Sequence, residues 1–308
     1  MPTDRNGLRS SAAPPPSPSA ADFDDPVAVA ADDEGRVWVA NYRSDTLLGF
    51  DAADLMQRRG AVHVSPARSV STPGGPNQIA IDRMGWVWLA DWDANTVSAY
   101  RPPDLASPSP RRAVVLSGPE IGSPTDLAFD HGGNLWVANQ ATGRILEYGA
   151  RQIRHTGSPR PLASLALDGA GKGTPEAIAF DRNGRLWISD YYRDRLTVVG
   201  PDALQGNGPV TPLLEIRLPA RTFPIGLTFD RAGRLWMAGA RAIVVFRVDP
   251  HRATDVAMRL AGPDVVMPHD VSFDSRGAAW VPCYNDTVLR FSAAALHAGR
   301  ARPDLVLT

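Results

Sequence analysis

Six times the chain repeats one arrangement: an apolar strand ends at Asp-x-x-Gly, a second strand follows with Trp near its start, and a polar residue closes it. The Asp, Gly and Trp of successive copies are 32/35/38, 82/85/88, 130/133/136, 181/184/187, 230/233/236 and 274/277/280, which puts the tryptophans 50, 48, 51, 49 and 44 residues apart. A repeat of that length made of short strands specifies a β-propeller with about four strands per blade. A blade can bury its faces only against neighbouring blades. Six unbroken copies therefore predict one all-β domain over residues 23–308, a six-bladed propeller of four-stranded blades starting near residues 25, 75, 123, 174, 223 and 267. Residues 1–22 include SAAPPPSPSA and read as a disordered Pro/Ser-rich tail.

The third copy shows how a blade is written. Residues 125–130 form the inner strand, with Leu127 and Phe129 on one side and Ala128 on the other. Asp130 caps a hairpin and Gly133 takes its positive φ. Residues 134–138 return with Trp136 set between blades, and 144–148 form the third strand. Apolar runs at 113–116, 162–167, 213–216, 256–260 and 305–307 supply outer strands. No strand is marked as borrowed to close the ring, so blades 1 and 6 either pack directly or are joined by residues just before Asp25.

Net charge is −1, which leaves no bulk field for nucleic acid or an anionic membrane. The single cysteine, Cys283, excludes an intrachain disulfide and fits a reducing compartment. No run approaches the roughly 20 apolar residues of a membrane span, and residues 1–20 lack the apolar core of a secretory signal. A cytoplasmic location is the expectation.

The topology brings the start of each inner strand and the end of each second strand to one face. Just after the opening prolines stand Val27-Ala28, Asn77-Gln78, Thr125-Asp126, Glu176-Ala177, Ile225-Gly226 and His269-Asp270. Asn77, Asp126, Glu176 and Asp270 are candidate ligands of a divalent cation such as Ca, Mg, Mn or Zn, with His269 beside them. The alternative is a wet channel in which polar residues cost little. Three residues after each Trp come Asn41, Asp91, Asn139, Asp190, Gly239 and Cys283; Asn and Asp there are expected to cap the following turn. Cys283 shares a blade with His269, so it is either half of a nucleophilic pair or a small buried hydrophobe.

One position further, Tyr42, Trp92, Tyr191 and Tyr284, with Tyr192 beside them, make an aromatic rim suited to an organic ligand or simply covering the blade tops. Blade 5, with Gly239-Ala240-Arg241, leaves a gap that would serve as an entrance. There is no Ser-containing elbow and no phosphate-binding Gly loop, and no organic cofactor is expected.

The repeat Leu-Ala-Phe-Asp-x-x-Gly-x-Leu-Trp-Val-Ala-Asn resembles the NHL repeat, and beyond it the six-bladed gluconolactonase/regucalcin family and, more loosely, the streptogramin lyases. Met267-Pro268-His269-Asp270 with Trp280-Val281-Pro282-Cys283-Tyr284-Asn285 is similar to the lactonase segment Pro-Asp-Gly…Trp-Val-Ala-Cys-Tyr-Asn. In that family the Asp is a metal ligand and catalytic base; here His269 stands in its place and Asp270 replaces the Gly. Pro76-Asn77-Gln78 echoes a Pro-Asn-Gly motif, and the family's first-blade Glu corresponds to Asp24.

The residues of this face point first to a metal-assisted lactonase or esterase, or a lyase, with catalytic His269, Asp270 and Glu176 and a substrate held by Tyr42, Trp92, Tyr191, Tyr192, Arg241, Cys283 and Tyr284. The lyase resemblance implies His269 as base and Glu176 as a metal ligand. Against both stands a non-catalytic platform for a protein, peptide or small ligand on the same face.

Overall fold

In a computed structural model, described here for residues 23–167, 173–249, 255–299 and 302–308, six small sheets, each with an antiparallel four-stranded core, surround a channel. The first blade runs outward from Pro26–Ala31 through Val37–Asn41 and Thr46–Phe50 to Arg68–Ser71. The next four begin with Pro76–Ile81, Pro124–Phe129, Pro175–Phe180 and Pro224–Phe229. The sixth comprises Ser272–Phe273, Ala279–Cys283, Thr287–Phe291 and Leu305–Leu307. The tail expected at residues 1–22 lies outside the described residues. None of the described helices is long and apolar enough to cross a membrane.

The repeated Asp is more than a turn cap. In every blade its Oδ2 accepts the indole N–H of the Trp six residues on, from 2.9 Å for Asp230–Trp236 to 3.3 Å for Asp82–Trp88. Its Oδ1 accepts the backbone N–H four residues on, as Asp130 does from Asn134 at 2.9 Å. The Gly between them sits at a φ of about +79° in the third copy, which a side chain would strain. One carboxylate thus fixes both the hairpin and the ring that fills the space between blades. Trp88, Trp136, Trp187 and Trp236 each meet edge-on the Phe that ends the next blade's inner strand, at 5.9, 5.7, 5.9 and 5.0 Å.

Turn residues at the top of four blades tie the ring sideways. Asp45, Asn95 and Asp194 each accept the N–H of the residue opening the next blade at 2.7 Å, and Asp286 does the same for Asp25 at 2.9 Å. The residues three after Trp work differently from the turn caps expected of them. Asp91 accepts from Ser98 and Thr96 on the neighbouring strand, Asn139 accepts from Gly122, and Asp190 accepts from Thr174.

The ring does borrow a strand. The connection between the third and fourth strands of blade 1 carries Gly60–Val62, which pairs in parallel with Leu305–Leu307 as a fifth strand of blade 6. Within the same connection, the carbonyls of Leu55 and Arg58 accept from Arg290 of blade 6 at 2.9 and 3.0 Å. Arg290 also holds Asp304 at 2.6 Å and lies over Trp280. Nothing in the sequence marks this strand, because Gly-Ala-Val is too short and too small to read as one. Arg290→Lys keeps the charge but loses the fork that reaches two carbonyls. A loss of about 1–2 kcal/mol in denaturant unfolding is expected, and an unchanged midpoint would mean that the clamp does not hold the seam.

The same construction recurs around the disc. Short helical turns between third and fourth strands bury Leu55, Leu105, Ile153, Leu204 and Leu296 against the outer strand of the preceding blade. Asn207–Pro209 adds in parallel to Ala163–Ala166, and Gly157 bridges in parallel to Leu116. Blade 5 is the exception.

Candidate active site

The face predicted from the topology carries a cavity of about 320 Å³ over the channel. All six residues that follow the opening prolines line it: Val27, Asn77, Thr125, Glu176, Ile225 and His269. A β-bulge explains why they reach it. In blades 1, 2, 3 and 5 the register slips between the proline and the second residue beyond it, so two residues stand opposite one. The first then looks up into the cavity and the second lies a layer deeper.

The expected ligand set is divided between those layers. Asn77 and Glu176 face the cavity, whereas Asp126 and Asp270 lie below and line a separate depression on the opposite side. Their oxygens are already engaged. Asp126 accepts the N–H of Leu127 and of Ile178 in the next blade, both at 2.6 Å. Asp270 accepts the N–H of Val29 across the ring closure at 3.2 Å. Gln78 completes the layer: its Oε1 accepts the Ile79 N–H at 2.8 Å, and its side chain favours the charged forms of both carboxyl groups. Burial holds Asp126 well above the usual carboxylate range and pushes Asp270 up to about 6. These two acids staple adjacent blades rather than project into the cavity. Among the described residues no group of three or more His, Cys, Asp or Glu is arranged to hold a metal ion.

What the cavity contains is an acid and a base of matched character. Burial lowers the pKa of His269, so its imidazole is neutral near pH 7, and its Nε2 is buried without a hydrogen-bond partner. The ring stacks on Tyr284 at 6.2 Å and 11°. Gly226 makes the placement of His269 feasible: a Cβ there would meet the His269 carbonyl oxygen at 2.6 Å. Burial raises Glu176 to about 7, and Gln140 donates to its Oε2 at 3.2 Å. Burial penalises the charged form of each group, so the carboxyl and the imidazole both favour their neutral forms.

Tyr42, Tyr191, Tyr192 and Tyr284 rim the cavity as expected. Trp92 does not reach it and instead supports Tyr42 edge-on at 6.4 Å. Arg241 turns away into a groove between blades 4 and 5. Cys283 is fully buried in the core between blades 5 and 6, and burial pushes its thiol up to about 12, so it is neither a nucleophile nor a substrate contact.

Two cavity residues escaped the sequence reading. Gln140 stands at the rim position that aromatics occupy in four of the other blades, and its departure from them was the signal. Asp25, not Asp24, lines the cavity with a buried Oδ1 that lacks a partner. The only sequence signal for Asp25 was its place just before an opening proline.

No protein-family model matches the chain, and no curated protein matches its sequence. Its fold is similar to that of virginiamycin B lyase from Staphylococcus aureus, at 14% identity over 89% of this chain and 83% of that one, with a TM-score of 0.60. A catalytically inactive His-to-Ala variant of that lyase, solved with quinupristin, is similar at 15% identity over 88% and 82%, with a TM-score of 0.60. A Bacteroides uniformis protein provisionally assigned as a 6-phosphogluconolactonase matches at 15% identity over 89% and 82%, with a TM-score of 0.59. At these identities the likeness establishes the six-bladed propeller.

Proposed function

We propose that the cavity takes a small cyclic or aryl ester and opens it by paired acid–base chemistry. One observation carries this reading: a neutral imidazole with an unpartnered Nε2 and a carboxyl titrating near 7 line the same tyrosine-rimmed pocket. His269 takes a proton from water, the resulting hydroxide adds to the ester carbonyl, and Glu176 gives its proton to the departing alkoxide as the C–O bond breaks. Catalytic groups work best with pKa values near the working pH; burial has moved Glu176 toward that range and holds His269 in its neutral, proton-accepting form. The tyrosine hydroxyls supply hydrogen bonds for substrate orientation. The donors expected to hold a divalent cation are split between two layers and do not converge on one ligand set.

The structural likeness to a lyase that loses activity when a His is replaced supports a second reading within the same site. There His269 removes a proton from the carbon α to a carbonyl. The freed electron pair forms a C=C bond, and the ester C–O bond breaks with release of a carboxylate. Lactones, aryl esters and a cyclic depsipeptide incubated in ¹⁸O-water distinguish the two: hydrolysis puts the label in the product, and elimination leaves an unlabelled, unsaturated one. Binding without turnover across this panel would return the protein to the platform reading.

The pH dependence has a defined sign. Glu176 is raised in the folded state, so its contribution to stability is complete below the unfolded value near 4.5 and is lost as pH rises through about 7. Glu176→Gln should therefore shrink the stability lost between pH 5 and 8, by on the order of 2–3 kcal/mol in denaturant titrations. The same variant should abolish the fall in activity above neutral pH. An unchanged stability slope would remove the assignment of a buried, titrating acid.

A further inference from the structure

Blade 5 departs from the pattern that seals every other seam. Its third and fourth strands, Ala242–Arg247 and Asp255–Leu260, are joined by residues 248–254 alone, whereas blades 1 and 4 use 51–67 and 200–213 for the same connection. Those longer connections fill the space outside the preceding blade. In blade 1, Val62 ends the parallel strand pairing, Val64 follows it, and both pack among Leu48, Phe50, Leu305 and Leu307. In blade 4, Val210 packs beside Leu165 after the pairing of Asn207–Pro209.

At the seam between blades 4 and 5 no described residue fills the corresponding space. Val244 and Phe246 occupy the positions of Leu48 and Phe50 in the third strand. Here they line a groove of about 600 Å³, with Ile216 of blade 4 on the other wall. The consequence shows in burial: Leu305 and Leu307 are 0% and 1% exposed, whereas Leu214 and Ile216 on the outer strand of blade 4 are only partly buried. That strand, Leu214–Arg217, ends its sheet. Arg217, Arg221, Arg241 and Arg259 line the groove, no acid does, and none of the four makes an ion pair among the described residues.

We propose that this groove binds an extended acidic peptide of a partner protein, which pairs in parallel with Leu214–Arg217 as Gly60–Val62 pairs with Leu305–Leu307. An unpaired edge strand is a ready template for another strand. The occupant's chemistry follows from the walls. Two apolar residues spaced like Val62 and Val64 fill the slot, and the residues alternating with them carry the negative charge that four arginines attract. This site is separate from the tyrosine-rimmed cavity and stands whether or not that cavity is catalytic.

A fluorescein-labelled peptide, Asp-Glu-Val-Glu-Val-Asp-Gly, tests the assignment against the whole protein. Saturable micromolar binding is expected, together with slowed amide exchange confined to residues 214–218. Affinity should fall by at least about tenfold in the Arg217→Glu, Arg259→Glu double variant and fall again at high salt. Both arginines are exposed, so the variant's melting temperature serves as the check that it folds.

A peptide with Lys in place of its acids and one N-methylated at alternate amides are both expected to bind at least tenfold more weakly. Equal binding of either one, or no saturable binding of the acidic peptide, overturns the proposal. So does binding of decanoate where the peptide fails, which would mark a site for amphiphilic anions.

Discussion

Replacing His269 with Ala is expected to lower kcat/KM on whichever ester the protein opens by about 10²–10⁴-fold, the range a positioned general base supplies. Stability should barely move. The imidazole carries a buried Nε2 with no partner, so its removal also removes an unmet hydrogen-bonding group, and a change within about 1 kcal/mol is expected. Imidazole added to the variant should restore part of the rate, since it supplies the missing base in solution. A merely structural role for His269 would show the reverse: a lowered melting temperature and no rescue. Full activity in the variant would eliminate both ester hydrolysis and elimination at this site, because each begins with a proton taken up by this imidazole.

The second large effect concerns the scaffold. Trp136→Ala should cost about 3–5 kcal/mol, as truncation of a large ring in a core that cannot collapse around the cavity. The ring is 2% exposed, lies edge-on to Phe180 of the next blade at 5.7 Å, and donates its N–H to Asp130 at 3.1 Å. Trp136→Phe separates these contributions. It keeps an aromatic ring against Phe180 and gives up the hydrogen bond, and Asp130 retains Asn134 as a partner at 3.0 Å. About 1–2 kcal/mol is expected for that change. Equal losses in the two variants would mean that the indole N–H, and not the filled space between blades, carries the stability. An unchanged urea midpoint for Trp136→Ala would contradict the packing of blade on blade.

Fold and site were not equally legible. The blade is a local object: Asp, Gly and Trp lie within seven residues of one another, and the hydrogen bonds that join them close inside one hairpin. A local rule repeated six times is visible in a linear chain, and it carried the strand order, the blade count and the choice of face. The sideways links could not be read that way. Asp45 and Asn95 looked like ordinary turn residues, yet each bonds to the N–H opening the next blade, some thirty residues away.

The amino-acid sequence by itself determined the six-bladed ring and the residues that would stand near its channel, because strand alternation and hairpin chemistry are properties of neighbouring residues. The tertiary structure alone decided at which level each of those residues stands. A one-residue bulge sends Thr125 up and Asp126 down; Asp126 and Asp270 staple adjacent blades, whereas Glu176 and His269 face the cavity. It also decided the seams. Whether a connection fills the space beside the preceding blade depends on chain reach across the ring, and reach is set by the distance between strands that only the closed disc defines.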